Sequence, residues 1–160
     1  MVQLNPVSVQ PIGIVRNGLG RRSYNEWRDT ESEIVIIEDY QEALYRLDEF
    51  SHVDVLFYLH EMNRDFRSKI HPTGNPDYPL MGAFATRTPN RPSRIALTTC
   101  RLLSVNGDVL RVRGLDAYDG SPVIDIKPYT GKTIENVRLP EWLKKLKKKN
   151  NHFNLFNYKR

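Results

Sequence analysis

The sequence is poor in the residues that build disulfide frameworks, zinc sites and membrane spans. Cys100 is the only cysteine among 160 residues, so a disulfide within the chain is impossible and a cytoplasmic protein is the simplest interpretation. The four histidines are scattered along the chain. No apolar run approaches the roughly 18 residues of a membrane helix, and the first residues lack the features of a secretory signal. We therefore expect a cytoplasmic protein with no membrane contact and no metal site.

Common nucleotide and metal motifs are also missing. In GLGRRS, Ser23 stands where a dinucleotide-binding fingerprint has its third glycine, and no P-loop sequence occurs. The run HEMNR begins like a zinc-protease helix but has Arg64 in place of the second histidine. A divalent ion held by Asp116, Asp119 and Asp125 is the one metal site that the sequence leaves open.

The spacing of apolar residues predicts a mainly β protein. Asn106-Gly107 lies between two apolar runs and predicts a hairpin, and EDYQEALYRLDEF has helical periodicity. We expect one small β-barrel domain over residues 1–139, with one or two short helices. The predicted strands are Pro11–Arg16, Glu33–Glu38, Val53–His60, Gly82–Thr86, Arg94–Val105, Asp108–Leu115 and Ser121–Tyr129.

The net charge of +5 is concentrated in a basic helix and tail, residues 140–160. From residue 141 onward, seven Lys or Arg stand against Glu141 alone, a balance of +6. Leu139, Trp142, Leu143 and Leu146 have the spacing of one helix face. Two interpretations are open, a docked helix with a solvated face and a surface that binds nucleic-acid phosphates. A helix lying on a membrane surface is a weaker third interpretation, because the apolar stripe is short.

Two polar segments have the residues of a binding site. FATRTPNRPSRIALTTC sets arginines beside Pro89 and Pro92, which stiffen the chain, and guanidinium groups suit carboxylates and phosphates. GLDAYDGSPVIDIKPY places carboxylates at a turn before a strand, where they can accept hydrogen bonds from ribose hydroxyls or amines. For Asp119 taken alone, shaping the Asp119-Gly120 turn is the favoured role, and the arginine segment is what favours a binding site. We expect Cys100 to be a buried apolar residue and not a nucleophile.

The segments EFSHVDVLFYLHE, MGAFATRTPNRPSRIAL and GLDAYDGSPVIDIKPY, in this order, resemble the signature segments of the TsaA-like family. Its characterised members are S-adenosylmethionine-dependent methyltransferases that act on N6 of threonylcarbamoyl-adenosine at position 37 of tRNA. The resemblance implies a small β-barrel without a Rossmann fold, and a homodimer with the cofactor near the subunit interface. It also implies that tRNA and S-adenosylmethionine are the partner and the cofactor of this chain.

The resemblance also implies roles for particular residues. The implied cofactor contacts are His60, Glu61, Arg87, Leu97, Asp116, Ala117, Tyr118 and Asp119, with Arg21 and Arg22 as further candidates. Candidates for a catalytic base are Asp119, Asp125 and Tyr129. Candidates for contacts to tRNA are Arg91, Arg94, Lys127, Lys144, Lys145 and Lys148.

One loop departs from the family pattern. Where the family usually reads Arg-Pro-Asn-Pro-Ile-Gly-Leu-Ser, this chain has Ser93, Arg94 and Ala96 in place of asparagine, the second proline and glycine. Two other functions therefore stay open. One is a non-catalytic β-barrel module that binds RNA, and the other is a methyltransferase with a different acceptor.

Overall fold

A computed structural model describes residues 3–20, 27–131 and 134–149. Within these ranges the strands are β1 (Gly13–Arg16), β2 (Glu31–Ile36), β3 (His52–Tyr58), β4 (Lys69–Ile70), β5 (Met81–Gly82), β6 (Ile95–Asn106), β7 (Val109–Arg113) and β8 (Pro122–Pro128). The α-helix α1 spans Glu141–Lys149. Short 3₁₀ helices span Glu38–Leu44, Leu47–Glu49, Pro72–Gly74 and Ala83–Ala85.

Six of these strands close into a barrel in the order β1-β2-β7-β6-β3-β8. Every neighbouring pair is antiparallel. Closing the sheet removes its unpaired edges, which would otherwise be open to other chains. The predicted β-barrel with few short helices is confirmed.

Buried and partly exposed residues alternate along the strands, and the buried ones form the core. In β3, Val53, Val55 and Phe57 are buried, while the residues between them are partly exposed. Side chains of a strand point to opposite faces in turn, so one face of each strand lines the barrel interior. Ile34 and Leu110 come from neighbouring strands and are fully buried in the same cluster. Apolar burial of this kind stabilises a fold by roughly 25 cal/mol per Å².

Two predicted elements differ in detail from the observed ones. The predicted strand Gly82–Thr86 is β5 followed by a 3₁₀ turn, because the Thr86 hydroxyl and its backbone N–H both donate to the carbonyl of Ala83 and curl the chain. The periodic segment after Glu38 forms two 3₁₀ helices and no α-helix. Arg46 has a positive φ of 64° between them, and this backbone conformation interrupts a right-handed helix.

The predicted hairpin is confirmed, with its turn one residue further along the chain. Asn106 pairs with Val109, so the two loop residues are Gly107 and Asp108. Gly107 has a φ of 62° and Asp108 does not have a positive φ, which is the pattern of a hairpin turn with glycine first.

On β8, a register shift opposite Leu56 and Phe57 marks a bulge. As a result, Ile126 packs against the core cluster.

The chain's contacts group into two compact units. The first is Met1–Phe66 with Pro89–Gly131, and it contains the whole barrel; the second is Arg67–Thr88 with Lys132–Arg160. The sequence-based division at residues 139 and 140 stays a prediction. Among the described helices, none has the length and apolar character to cross a membrane.

The second unit contains the short β4–β5 pair and α1. The prediction of an amphipathic helix is confirmed, since Leu146 is buried, Leu143 is half-buried, and Lys144 and Lys145 are exposed. The ring of Trp142 meets that of Tyr78 edge to face, with centroids 6.4 Å apart. This contact joins the helix to the 67–88 segment within the second unit.

Candidate functional site

One end of the barrel brings together four chain segments that are far apart in sequence. They follow β1, follow β3, precede β6 and precede β8. Backbone hydrogen bonds join them in pairs: Asp119 donates to the carbonyl of Leu19 at 2.8 Å, and Leu59 donates to the carbonyl of Arg94 at 2.9 Å. Because antiparallel strands bring the end of one beside the start of the next, residues 17–19, 59–61, 91–94 and 117–121 share this end.

Asn17 is the central polar residue of this end. Its side-chain amide donates to the hydroxyl of Ser32 and to the carbonyl of Ala117, both at 3.0 Å. The amide oxygen accepts a hydrogen bond of 2.9 Å from the backbone N–H of Leu19. Ser32 is 1% exposed, so its partner matters for stability. Asn17 thus ties the residues that follow β1 to β2 and to the 115–121 segment.

The carboxylate of Asp119 also binds the residues that follow β1. Its Oδ1 accepts the backbone N–H of Asn17 at 2.8 Å and that of Gly18 at 3.2 Å. These two donors stabilise the charged form and lower the pKa of Asp119, and the nearby positive charge of Arg16 and of His60 acts in the same direction. The predicted turn at Asp119-Gly120 is confirmed, since Ser121 donates to the carbonyl of Tyr118. The side chain therefore does more than shape that turn.

His60 lies next to this turn. Its Nδ1 is hydrogen-bonded to the hydroxyl of Ser121 at 3.3 Å, and Ser121 is 2% exposed. The ring itself is exposed to solvent. Gly120 has a φ of 77°, and a methyl group added there would lie 3.7 Å from Nε2. The arrangement orients an imidazole at the surface of the same barrel end as the Asp119 carboxylate.

The arginine loop closes with an unusual backbone conformation. Arg94 has a φ of 52°, and its N–H donates to the carbonyl of Arg91 at 3.2 Å. A proline could adopt neither feature, because its φ is held near −65° and it has no N–H. The loop of this chain therefore has a backbone that the family pattern, with proline at this position, does not allow.

Leu97, a predicted cofactor contact, and Asp125, a candidate base, lie along the outer wall of the barrel. Leu97 on β6 pairs with Leu56 on β3, and Leu56 pairs with Asp125 on β8. Leu97 is 44% exposed. Asp125 forms an ion pair of 2.5 Å with Lys127. This part of the wall combines apolar and charged side chains.

The three candidate bases do not come together. Tyr129 donates its backbone N–H to the carbonyl of His52, beside the start of β3, whereas His60 follows the end of that strand. Seven residues of strand span roughly 20 Å, so Tyr129 lies at the opposite end of the barrel from Asp119. Asp125 lies between them on β8.

The remaining predicted residues divide between the two units. In the first unit, Ala117 is 4% exposed, Asp116 and Tyr118 are half-buried, and Glu61 is exposed. Arg87 and the lysines of α1, Lys144, Lys145 and Lys148, belong to the second unit. Arg21 and Arg22 lie outside the described residues. Across the parts of the chain that the structure describes, no three His, Cys, Asp or Glu side chains are placed to share a metal ion, so Asp116, Asp119 and Asp125 do not form such a group.

Sequence reasoning missed Asn17 and Ser121. An asparagine followed by glycine after a strand is an ordinary loop signal, and its partners lie 15, 100 and 102 positions away. Ser121 precedes a proline and has no motif of its own. The only available hint was that Asn17 ends PIGIVRN, residues 11–17, which also fits the TsaA-like pattern.

Comparisons with known proteins agree on one family. The model of the tRNA-methyltransferase O N-terminal domain matches residues 17–133. A probable S-adenosyl-L-methionine-binding protein of Methanothermobacter thermautotrophicus is 42% identical over 127 residues, which cover 77% of this chain and 90% of that protein. The tRNA (adenine(37)-N6)-methyltransferase of Mus musculus is 39% identical over 95 residues, 59% of this chain and 22% of that protein.

Solved structures agree with the sequence matches. The crystal structure of TrmO from P. aeruginosa superposes with a TM-score of 0.67 at 28% identity, covering 88% of this chain. This chain spans 63% of that solved chain. With the family model matching most of its length, this chain belongs to the family of the tRNA-methyltransferase O N-terminal domain, as its TsaA-like motifs predict.

Proposed function

We propose that this protein is an S-adenosylmethionine-dependent methyltransferase that methylates N6 of adenosine 37 in tRNA. The observation that carries the proposal is the family match over residues 17–133. Relatives named as S-adenosyl-L-methionine-binding proteins and as tRNA (adenine(37)-N6)-methyltransferases support the cofactor and the substrate. The finer proposal is that the adenosine carries a threonylcarbamoyl group, as the TsaA-like resemblance implies.

The residues at the 17–19, 59–61 and 117–121 end of the barrel fit this cofactor. The carboxylate of Asp119 accepts two backbone N–H groups that stabilise its charged form and lower its pKa, and a carboxylate suits a sulfonium or an ammonium group. His60 and Glu61 lie in the segment beside it, and Leu97 and Ala117 are apolar. We assign the cofactor to this end, with Asp116 and Tyr118 as the further contacts that the resemblance implies. Arg87 stays a prediction from the resemblance.

Methyl transfer to N6 requires mainly positioning from the protein. When bound, S-adenosylmethionine supplies a methyl carbon that is already activated by its sulfonium. The residues of this chain have to align the attacking nitrogen and exclude water. The tie between Asn17 and Asp119 serves alignment, because it holds the 17–19 and 117–121 segments together.

A base must accept the proton that N6 loses. Asp119 is better suited to a cofactor contact, because its carboxylate lies at the barrel end beside His60 and binds the backbone N–H groups of Asn17 and Gly18. Tyr129 lies at the other end of β8. Asp125 is separated from Leu97 only by Leu56 on the outer wall, so we propose Asp125 as the proton acceptor and Asp119 as a cofactor contact.

Calorimetric titration with S-adenosylmethionine and S-adenosylhomocysteine tests the proposal first. We expect saturable binding at about one site per chain, followed by methyl transfer to tRNA that carries threonylcarbamoyl-adenosine. Transfer to unmodified tRNA alone would contradict the finer substrate. Absence of binding by both ligands would contradict the enzyme and leave the RNA-binding module.

Two variants separate the proposed roles. Asp119→Asn should weaken the affinity for the cofactor, whereas Asp125→Asn should lower kcat at unchanged cofactor affinity. Loss of affinity in both variants would contradict a separate proton acceptor.

We also propose a homodimer. Leu56, Leu97 and Tyr58 are partly exposed on the outer wall, beside Asp125, and these apolar side chains support a contact with a second copy. Sedimentation of the wild type and of Leu97→Glu tests this, with a shift to monomer expected for the variant. A cytoplasmic location stays a prediction.

A further inference from the structure

Charge is segregated between the two units. Among the described residues, the second unit has nine Lys or Arg against Asp77, Glu135 and Glu141, a net charge of +6. The described part of the first unit has ten Lys or Arg against fifteen Asp or Glu, a net charge of −5. Net charge therefore favours the second unit over the barrel unit as the place where a polyanion binds.

The helix contributes an ordered cationic face to this unit. Leu146 is 6% exposed and Trp142 packs on Tyr78, so the apolar side of α1 faces protein. Lys144 and Lys145 are exposed on the other side, and Lys144 pairs with Glu141. The lysines therefore project from a helix that is docked within its unit.

The 67–88 segment adds cations and an exposed aromatic ring. Arg67 and Lys69 are exposed, and Lys69 pairs with Gly82 in the β4–β5 ladder. The 3₁₀ turn after β5 is anchored by Ala83, which is 2% exposed and donates its N–H to the carbonyl of Ser68 at 2.9 Å. Phe84 follows directly and is 73% exposed. A phenylalanine is thus presented to solvent from an ordered turn.

We propose that the second unit, and not the basic tail alone, is the docking surface for a single-stranded RNA loop. Lysine and arginine side chains of both its segments bind phosphates, and Phe84 stacks on an unpaired base. Positive grooves combined with exposed aromatic rings are the usual means by which proteins bind single strands. The inference rests on the proposed function, in which the substrate lies in the anticodon loop of tRNA.

Fluorescence anisotropy with an RNA hairpin of anticodon-arm sequence tests the proposal across salt concentrations. Arg67→Gln/Lys69→Gln should weaken binding and reduce the slope of log K against log salt by about one to two. Phe84→Leu should lower affinity by about five- to a hundredfold at unchanged slope, because stacking is not a counterion effect.

The matched control is Arg46→Gln/Arg101→Gln, which removes two exposed positive charges from the first unit. It should change affinity by less than about threefold, because screening limits charges that lie beyond the contact. Equal losses in both double variants would overturn the proposal, since only net charge would then matter. An equal affinity of Phe84→Leu and wild type would also overturn it, as would preferential binding to anionic vesicles.

Methyl-transfer assays on the same variants separate this inference from the proposed function. Normal turnover by the wild type with an unchanged KM for tRNA in Arg67→Gln/Lys69→Gln would overturn the docking surface and leave the enzyme intact. RNA binding that depends on Arg67, Lys69 and Phe84, without any methyl transfer by the wild type, would support the docking surface and overturn the enzyme.

Discussion

The backbone N–H of Asn17 donates a hydrogen bond of 2.8 Å to the carboxylate of Asp119, although the two residues are 102 positions apart. The side chain of Asn17 also bonds to Ser32 and to the carbonyl of Ala117. A single asparagine therefore connects β2, the residues that follow β1 and the segment before β8.

Replacing Asn17 should destabilise the protein and loosen the site. In Asn17→Asp a carboxylate replaces the donor amide, faces the Ala117 carbonyl and lies near the charge of Asp119. We expect a loss of about 1–3 kcal/mol in the free energy of unfolding, measured by urea denaturation, and weaker S-adenosylmethionine binding. The control is Asn106→Asp, since Asn106 is exposed in the hairpin. Equal effects of the two variants would contradict the role of Asn17.

The charge of Asp119 should make stability depend on pH in acid. Its pKa is lowered in the folded protein, first by the N–H groups of Asn17 and Gly18. Such a group contributes stability above its unfolded pKa of about 4, and that contribution is lost as pH falls through the folded pKa. The difference in unfolding free energy between wild type and Asp119→Asn should be on the order of 1 kcal/mol at pH 7 and shrink in acid. A difference that stays constant in urea titrations between pH 7 and 3 would refute this.

Because Arg94 has a positive φ, we expect glycine at this position to stabilise the protein and proline to destabilise it. Arg94→Gly should raise stability by about 1 kcal/mol, because glycine adopts φ near 52° without the steric cost of a Cβ. Arg94→Pro should lower stability, since the ring fixes φ and removes the N–H that bonds to Arg91. Thermal unfolding measures both. Arg91→Gly serves as the control and should not stabilise, because Arg91 has no positive φ.

Leu110 tests the barrel core. It is 0% exposed on β7 and belongs to the main apolar cluster. Leu110→Ala should lower the free energy of unfolding by about 2–5 kcal/mol, from lost burial and from the cavity left behind. Leu4→Ala, at a residue that is 86% exposed, should change it by less than about 0.5 kcal/mol. Similar midpoints for the two variants in urea would mean that Leu110 is not packed as described.

Cys100 should be unreactive in the native protein. The thiol is 2% exposed, and burial followed by the charge of Asp54 raises its pKa to about 12. Because the thiolate is the reactive form, labelling by a thiol reagent at pH 8 should be slow and follow global unfolding. The same reagent in urea should label fully. Rapid native labelling would show that the thiol is accessible.

Periodicity was informative where burial follows a regular pattern. Strands β1, β2, β3, β6, β7 and β8 lie within about two residues of their predicted bounds, and the amphipathic helix formed as its apolar spacing indicates. These elements are long enough for alternation or helical spacing to be visible. Two predictions differ from the structure. At Gly82–Thr86, the hydrogen bonds of Thr86 outweighed the strand propensity of the segment. Within Glu38–Phe50, the positive φ of Arg46 outweighed the helical periodicity and divided the segment into two short helices.

The sequence by itself determined the barrel class, the basic helix and the family, because local patterns and three long motifs carry that information. Only the tertiary structure decided which polar residues meet. Asn17 reaches Asp119, and the 67–88 segment joins α1 in one cationic unit, through antiparallel pairing and side-chain packing between distant segments. Tyr129 is separated from Asp119 for the same reason, since β8 lies between them. Strand direction and register place such residues together or apart, and neither can be read from local spacing.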